Sequence, residues 1–101
     1  MQMIYCTCNV NVLTELIDLV EKCNVHDYQV IDRVIAKNRK GAPRFNTSVW
    51  PGFNATLLMQ VKEEDKVKSI LEQVKEKNAG SMNEDELITV CTWHLDDYIF
   101  E

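Results

Sequence analysis

The sequence predicts a single α+β domain in which two helices alternate with four strands in the order βαββαβ. Three observations carry this expectation, the first two being two stretches with apolar residues at helical spacing and four short runs rich in β-branched residues around them. The third is size. A chain of 101 residues is long enough for one core and too short for two, so residues 1–101 are read as one domain.

Met3 to Cys8 alternates Met3, Tyr5 and Thr7 against Ile4, Cys6 and Cys8, which makes a first strand. Asn9 or Asn11 can cap the helix that follows, where Val12, Leu13, Leu16, Ile17, Val20 and Cys23 share one face. Asn24 sits where it should stop. Tyr28 to Ala36 is dense in Val and Ile and reads as the second strand, and Ala55 to Val61 as the third. Glu63-Glu64-Asp65 opens the second helix, where acids complement the positive end of the helix dipole. Val67, Ile70, Leu71 and Val74 form its stripe, Lys75 and Lys77 its last turn, and Asn78 or Gly80 its end. Leu87 to Trp93 is the fourth strand, and an acidic tail runs from His94 to Glu101.

This order is the split-βαβ, ferredoxin-like unit: a four-stranded antiparallel sheet with both helices on one face. A sheet wetted on its other face should alternate cleanly between apolar and polar residues. Here Val30 adjoins Ile31, Leu57 adjoins Leu58, and Val90 adjoins Cys91. The open face therefore needs a cover, and further copies of the same chain are the simplest one.

Charge is sharply partitioned. Arg33 to Lys62 holds six basic residues and no acid, whereas the remainder holds five basic and sixteen acidic residues, for a net −5. An acidic body repels nucleic acid over most of its surface, so no nucleic-acid partner is expected. No apolar run reaches the ~20 residues that cross a bilayer. The N-terminus lacks the basic and apolar regions of a secretory signal, so a cytoplasmic protein outside the membrane is expected. In that compartment Cys6, Cys8, Cys23 and Cys91 should be reduced, and buried thiols are the simplest reading.

The cations concentrate in 37–54, KNRKGAPRFNTSVWPGFN, with both prolines, two glycines, Phe45, Phe53 and Trp50. Loops of this length without secondary structure are usually functional or disordered, and the aromatics argue for order. Backbone N–H groups near Gly41 and Gly52, with Arg39, Lys40 and Arg44, suit a small anion or an acidic partner surface. Phe45, Trp50 and Phe53 offer a flat surface for a ring, or a means of pinning the loop to a neighbouring copy of the chain.

The strand Tyr28-Gln29-Val30-Ile31-Asp32 followed by Arg39-Lys40-Gly41 resembles the PII signal-transduction family and its PII-like relatives. The resemblance covers most of the chain as a pattern. It implies a trimer of ferredoxin-like units that binds small molecules in clefts between subunits and regulates other proteins without catalysing a reaction. In this reading 37–54 is a shortened form of the family's regulatory T-loop. The nucleotide-binding members carry a glycine-rich, basic turn after the second helix. Here that turn, 78–86, has one glycine and the acids Glu84, Asp85 and Glu86, and the tail beyond it has no arginine. ATP bound in the family's usual manner is not expected.

Two other classes remain. Cys6-Thr7-Cys8, with Cys91 on the neighbouring last strand and His94 just beyond it, offers soft ligands for zinc or copper(I), as in a CutA-type metal-responsive trimer. The spacing matches no zinc-finger pattern. An acylphosphatase-like enzyme needs an arginine near the N-terminus, and no basic residue precedes Lys22. No Gly-x-Ser-x-Gly, phosphate-binding loop or paired-carboxylate signature is present, so no catalytic residues are assigned. The expectation is a regulatory module that binds a small anionic ligand or a partner protein through Arg39, Lys40, Gly41, Arg44, Phe45, Trp50 and Gly52.

Overall fold

The computed structural model describes residues 1–100; Glu101, the last residue of the predicted acidic tail, lies outside them. Strand β1 (Gln2–Asn9) leads through a 3-10 turn (Val10–Val12) into helix α1 (Leu13–Lys22). Strands β2 (Gln29–Val34) and β3 (Asn54–Val61) flank the basic loop, helix α2 (Glu64–Ala79) follows, and strand β4 (Thr89–His94) closes the order. The sheet runs β2-β3-β1-β4 and every neighbouring pair is antiparallel. This is the predicted βαββαβ topology, with β1 and β4 adjacent.

Alternation assigns the two faces. Ile4, Cys6 and Cys8 of β1 and Ala55, Leu57, Met59 and Val61 of β3 are buried under Leu16 and Val20 of α1 and Val67, Ile70 and Val74 of α2. Burial of a side chain the size of Leu57 or Ile70 contributes about 1.5–3 kcal/mol. The opposite face has no cover among the described residues. Met3, Tyr5 and Leu58 are half-buried there, while Ile31 and Trp93 are 50% and 48% exposed.

Element ends differ from the sequence expectation where side chains intercept the backbone. Asn9 caps the 3-10 turn, its Oδ1 accepting the Asn11 N–H at 3.0 Å, and α1 proper begins only at Leu13. Strand β4 starts two residues later than expected. The Asn78 amide accepts the Ile88 N–H at 2.9 Å and donates to the Ile88 carbonyl at 2.8 Å. Those two groups are thereby removed from the ladder, and a 3-10 turn (Glu84–Glu86) fills the space before it. Strand β2 is shorter than predicted, with an irregular register between Ile31 and Val34. Ala36, its expected end, instead forms a two-bond bridge with Arg44 at 3.0 and 2.8 Å.

Candidate anion site at the base of the basic loop

The Ala36–Arg44 bridge closes 37–43 into a short excursion and separates it from the loop tip. The tip is ordered by its own backbone: the Phe45 and Thr47 N–H groups both donate to the Trp50 carbonyl, at 3.1 and 3.0 Å, and Asn46 donates to Gly52 at 3.1 Å. Gly52 has φ 88 with nothing near a would-be Cβ, so its role is conformational. Trp50 contributes its carbonyl while its side chain is 42% exposed. Within the chain the backbone bonds hold the tip, and the exposed Trp50 ring takes no part in them.

A cavity of about 230 Å³ opens at the loop base, between Thr7 and Cys8 at the end of β1, Ile88 and Thr89, and the turn bearing Glu84 and Asp85. Arg39, Lys40 and Arg44 line it, so three of the sequence-predicted residues converge there. Gly41 stands beside it, its would-be Cβ 2.4 Å from Asp85 Oδ1. Phe45, Trp50 and Gly52 are not part of its wall.

Arg44 departs most from expectation. The sequence presents it as a loop cation free to meet a ligand, yet it is buried, with 7% of its side chain exposed. Its Nη1 donates to Asn54 Oδ1 at 2.9 Å and its Nη2 to the Asp85 carbonyl at 2.8 Å, with Asp85 Oδ1 at 3.2 Å. Asn54 is fixed in turn, its Nδ2 donating to Asn38 Oδ1 at 2.9 Å and Thr7 Oγ1 at 3.3 Å. The same Asp85 oxygen accepts the Ala42 N–H at 2.9 Å. Sequence reasoning misses Asn38, Asn54 and Asp85 as parts of this site; the only signal is an acid-rich turn in a chain with an acid-free loop. Arg39 and Lys40 are exposed and form no ion pair among the described residues.

The cysteines do not assemble a metal set. Cys6 pairs with Val90 and Tyr5 with Cys91, so Cys91 points to the open face while Cys6 and Cys8 point to the helices. Burial, with smaller contributions from Cys8 and Cys91, pushes the Cys6 thiol from an ordinary 9.0 up to about 12. Burial likewise raises Cys8 to about 11, against the opposing pull of Arg44 and Lys77. Among the described residues no three His, Cys, Asp or Glu side chains gather as a metal site, so the Cys6, Cys8, Cys91 and His94 alternative is not formed within the chain.

A labelling experiment checks this arrangement. Iodoacetamide at neutral pH should modify Cys91 first and leave Cys6 and Cys8 untouched until the chain unfolds, as read by mass spectrometry. The raised thiol pKa values also set an alkaline limit. Their contribution to stability is complete below pH 9.0 and is lost as pH rises through about 11 to 12, because the unfolded chain releases those protons first.

A second hollow of about 650 Å³ lies between the helices. It is an open groove walled by Glu15, Asp18, Glu76, Lys22 and Lys77, with Lys77 already paired to Glu15. No helix is long and apolar enough to cross a membrane.

No family model and no curated protein matches the sequence. Solved structures do match. A PII-like signalling protein from Thermus thermophilus superposes with TM-score 0.62 at 16% identity, over 91% of this chain and 83% of that one. CPII from Thiomonas intermedia K12, bound to ADP and bicarbonate, superposes with TM-score 0.67 at 12% identity, over 95% and 88%. Its complex with ADP, AMP and bicarbonate gives 0.68 at 12% identity, over the same shares. At this level of identity the shared property is architecture, and it extends across nearly the whole chain: the fold is that of the PII-like signalling proteins.

Proposed function

We propose that the protein is a PII-like regulatory module that senses a small oxyanion at the base of its basic loop. The supporting observation is the cavity lined by Arg39, Lys40 and Arg44, with the Ala42 N–H beside it. At about 230 Å³ it is smaller than the roughly 300–1,000 Å³ pockets that enclose larger ligands. A bicarbonate, carboxylate or phosphate fits that size. CPII, whose fold this chain shares, is described with bicarbonate bound, which supports an anion of this class.

The apolar open face of the sheet supports assembly into a homotrimer, as the family resemblance implies. Loop tips carrying exposed Val49 and Trp50 would then face a regulated partner. Sedimentation equilibrium is expected to give a trimer, and Cys91 labelling to slow as protein concentration rises. A stable monomer at micromolar concentration would remove the argument from the open face.

A thermal-shift and calorimetric screen of bicarbonate, acetate, inorganic phosphate, AMP, ADP and ATP tests the ligand class. Small oxyanions are expected to raise the melting temperature. Adenine nucleotides are expected to be weaker, because the turn after α2 presents Glu84, Asp85 and Glu86 where phosphates need donors. Tight magnesium-dependent ATP binding, lost when 78–86 is altered, would prove the second expectation wrong.

A further inference from the structure

Two of the hydrogen bonds of buried Arg44 end on neutral oxygens, Asn54 Oδ1 and the Asp85 carbonyl. These orient the guanidinium without neutralising it. Its only ion pair among the described residues is Asp85 Oδ1 at 3.2 Å. That oxygen also takes the Ala42 N–H at 2.9 Å, aimed by Gly41 at φ 84. A Cβ on Gly41 would stand 2.4 Å from it, so glycine is what lets the carboxylate come so close. A backbone N–H beside a positive-φ glycine, together with a guanidinium, is a donor set suited to a free oxyanion. The chain fills it with its own side chain. Asp85 is 41% exposed on a surface turn and can return to water at little cost, whereas Arg44 cannot.

We infer that Asp85 is an internal stand-in for the ligand. Its carboxylate holds the oxyanion position, and a free oxyanion binds by displacing it from the Ala42 N–H and Arg44. This rests on the anion-binding reading above and adds a regulatory consequence. Binding releases the carboxylate that ties the 84–86 turn to the loop base, so occupancy is converted into a change of surface. The two arrangements, latched and released, differ fully in ligand affinity, which is what a population shift requires. Arg39 and Lys40, on the wall of the same cavity, draw the incoming anion toward the exchange and contact it once it is bound.

The test titrates bicarbonate, acetate and inorganic phosphate into the full chain and its Asp85→Asn variant at fixed ionic strength. Asparagine keeps the shape and an acceptor for the Ala42 N–H but removes the competing charge. The variant should bind the preferred anion about 10-fold tighter or more, since a charge-assisted contact no longer opposes it. In the wild type, NMR titration should move the Ala42 amide together with those of 84–86, a readout that does not depend on the variant folding. Binding to the wild type with no shift at Ala42 or 84–86, or with Asp85→Asn equal or weaker, overturns the latch and leaves the anion reading standing. No anion binding to either protein overturns both.

Discussion

Arg44→Ala should lower the melting temperature by about 10–30 °C. The change removes the donor of the Asp85 carbonyl, leaves Asn54 Oδ1 only the longer Asn38 Nδ2 contact at 3.4 Å, and enlarges the cavity that Thr7 and Asn38 also line. Removing one partner of a buried ion pair costs roughly 3–5 kcal/mol. Asp85 is 41% exposed and can rehydrate, which reduces the cost to about 2–4 kcal/mol. For a domain of this size each kcal/mol moves the midpoint by about 4–8 °C. Arg44→Lys should fall between, because an ammonium retains the charge but cannot span Asn54 and Asp85 as the planar fork does. Circular dichroism melts of both variants check the ordering. If Arg44→Ala melts with the wild type, the guanidinium serves only a ligand.

This prediction departs from what the sequence alone suggests, namely that Arg44 acts with Arg39 and Lys40 on an anion or an acidic partner surface. The departure has a definite physical source. Asn54 and Asp85 lie ten and forty-one residues from Arg44 in the chain, and no local pattern announces such contacts. Periodicity, by contrast, is local. Leu16 and Val20, or Ile70 and Val74, declare their helices within one turn, and Ile4, Cys6 and Cys8 declare the buried face of β1. Element ends are less legible because they depend on particular side-chain bonds. Asn78 reaching Ile88 decides where β4 begins, and an amide ten residues away gives no sign of it in the sequence. The cysteines show how alternation can be decisive once register is known: Cys91 falls opposite Tyr5, which alone separates it from Cys6 and Cys8.

Arg44 serves the fold as well as the anion, so the recognition that can be removed without unfolding the chain lies with Arg39 and Lys40, and an Arg39→Ala/Lys40→Ala double variant should lose about 100-fold in oxyanion affinity. Each charge-assisted contact contributes roughly 1.5–3 kcal/mol, about 10-fold or more per residue, and the two add if they act independently. The melting temperature should move by no more than a few degrees, since exposed charges contribute on the order of 0–1 kcal/mol. Salt separates direct contact from general attraction. A screened, long-range effect fades as ionic strength rises past a Debye length of about 10 Å at 0.1 M, whereas a contact inside the cavity persists. The double variant and Asp85→Asn should therefore shift affinity in opposite directions. Combined in one chain, they should partly offset each other, because one removes donors from the cavity and the other removes the carboxylate that competes for them. Calorimetry with bicarbonate and inorganic phosphate at two salt concentrations measures all of this. A double variant that binds as well as the wild type while its melting temperature collapses would make these charges structural too, and would leave recognition to Arg44 and the Ala42 N–H alone.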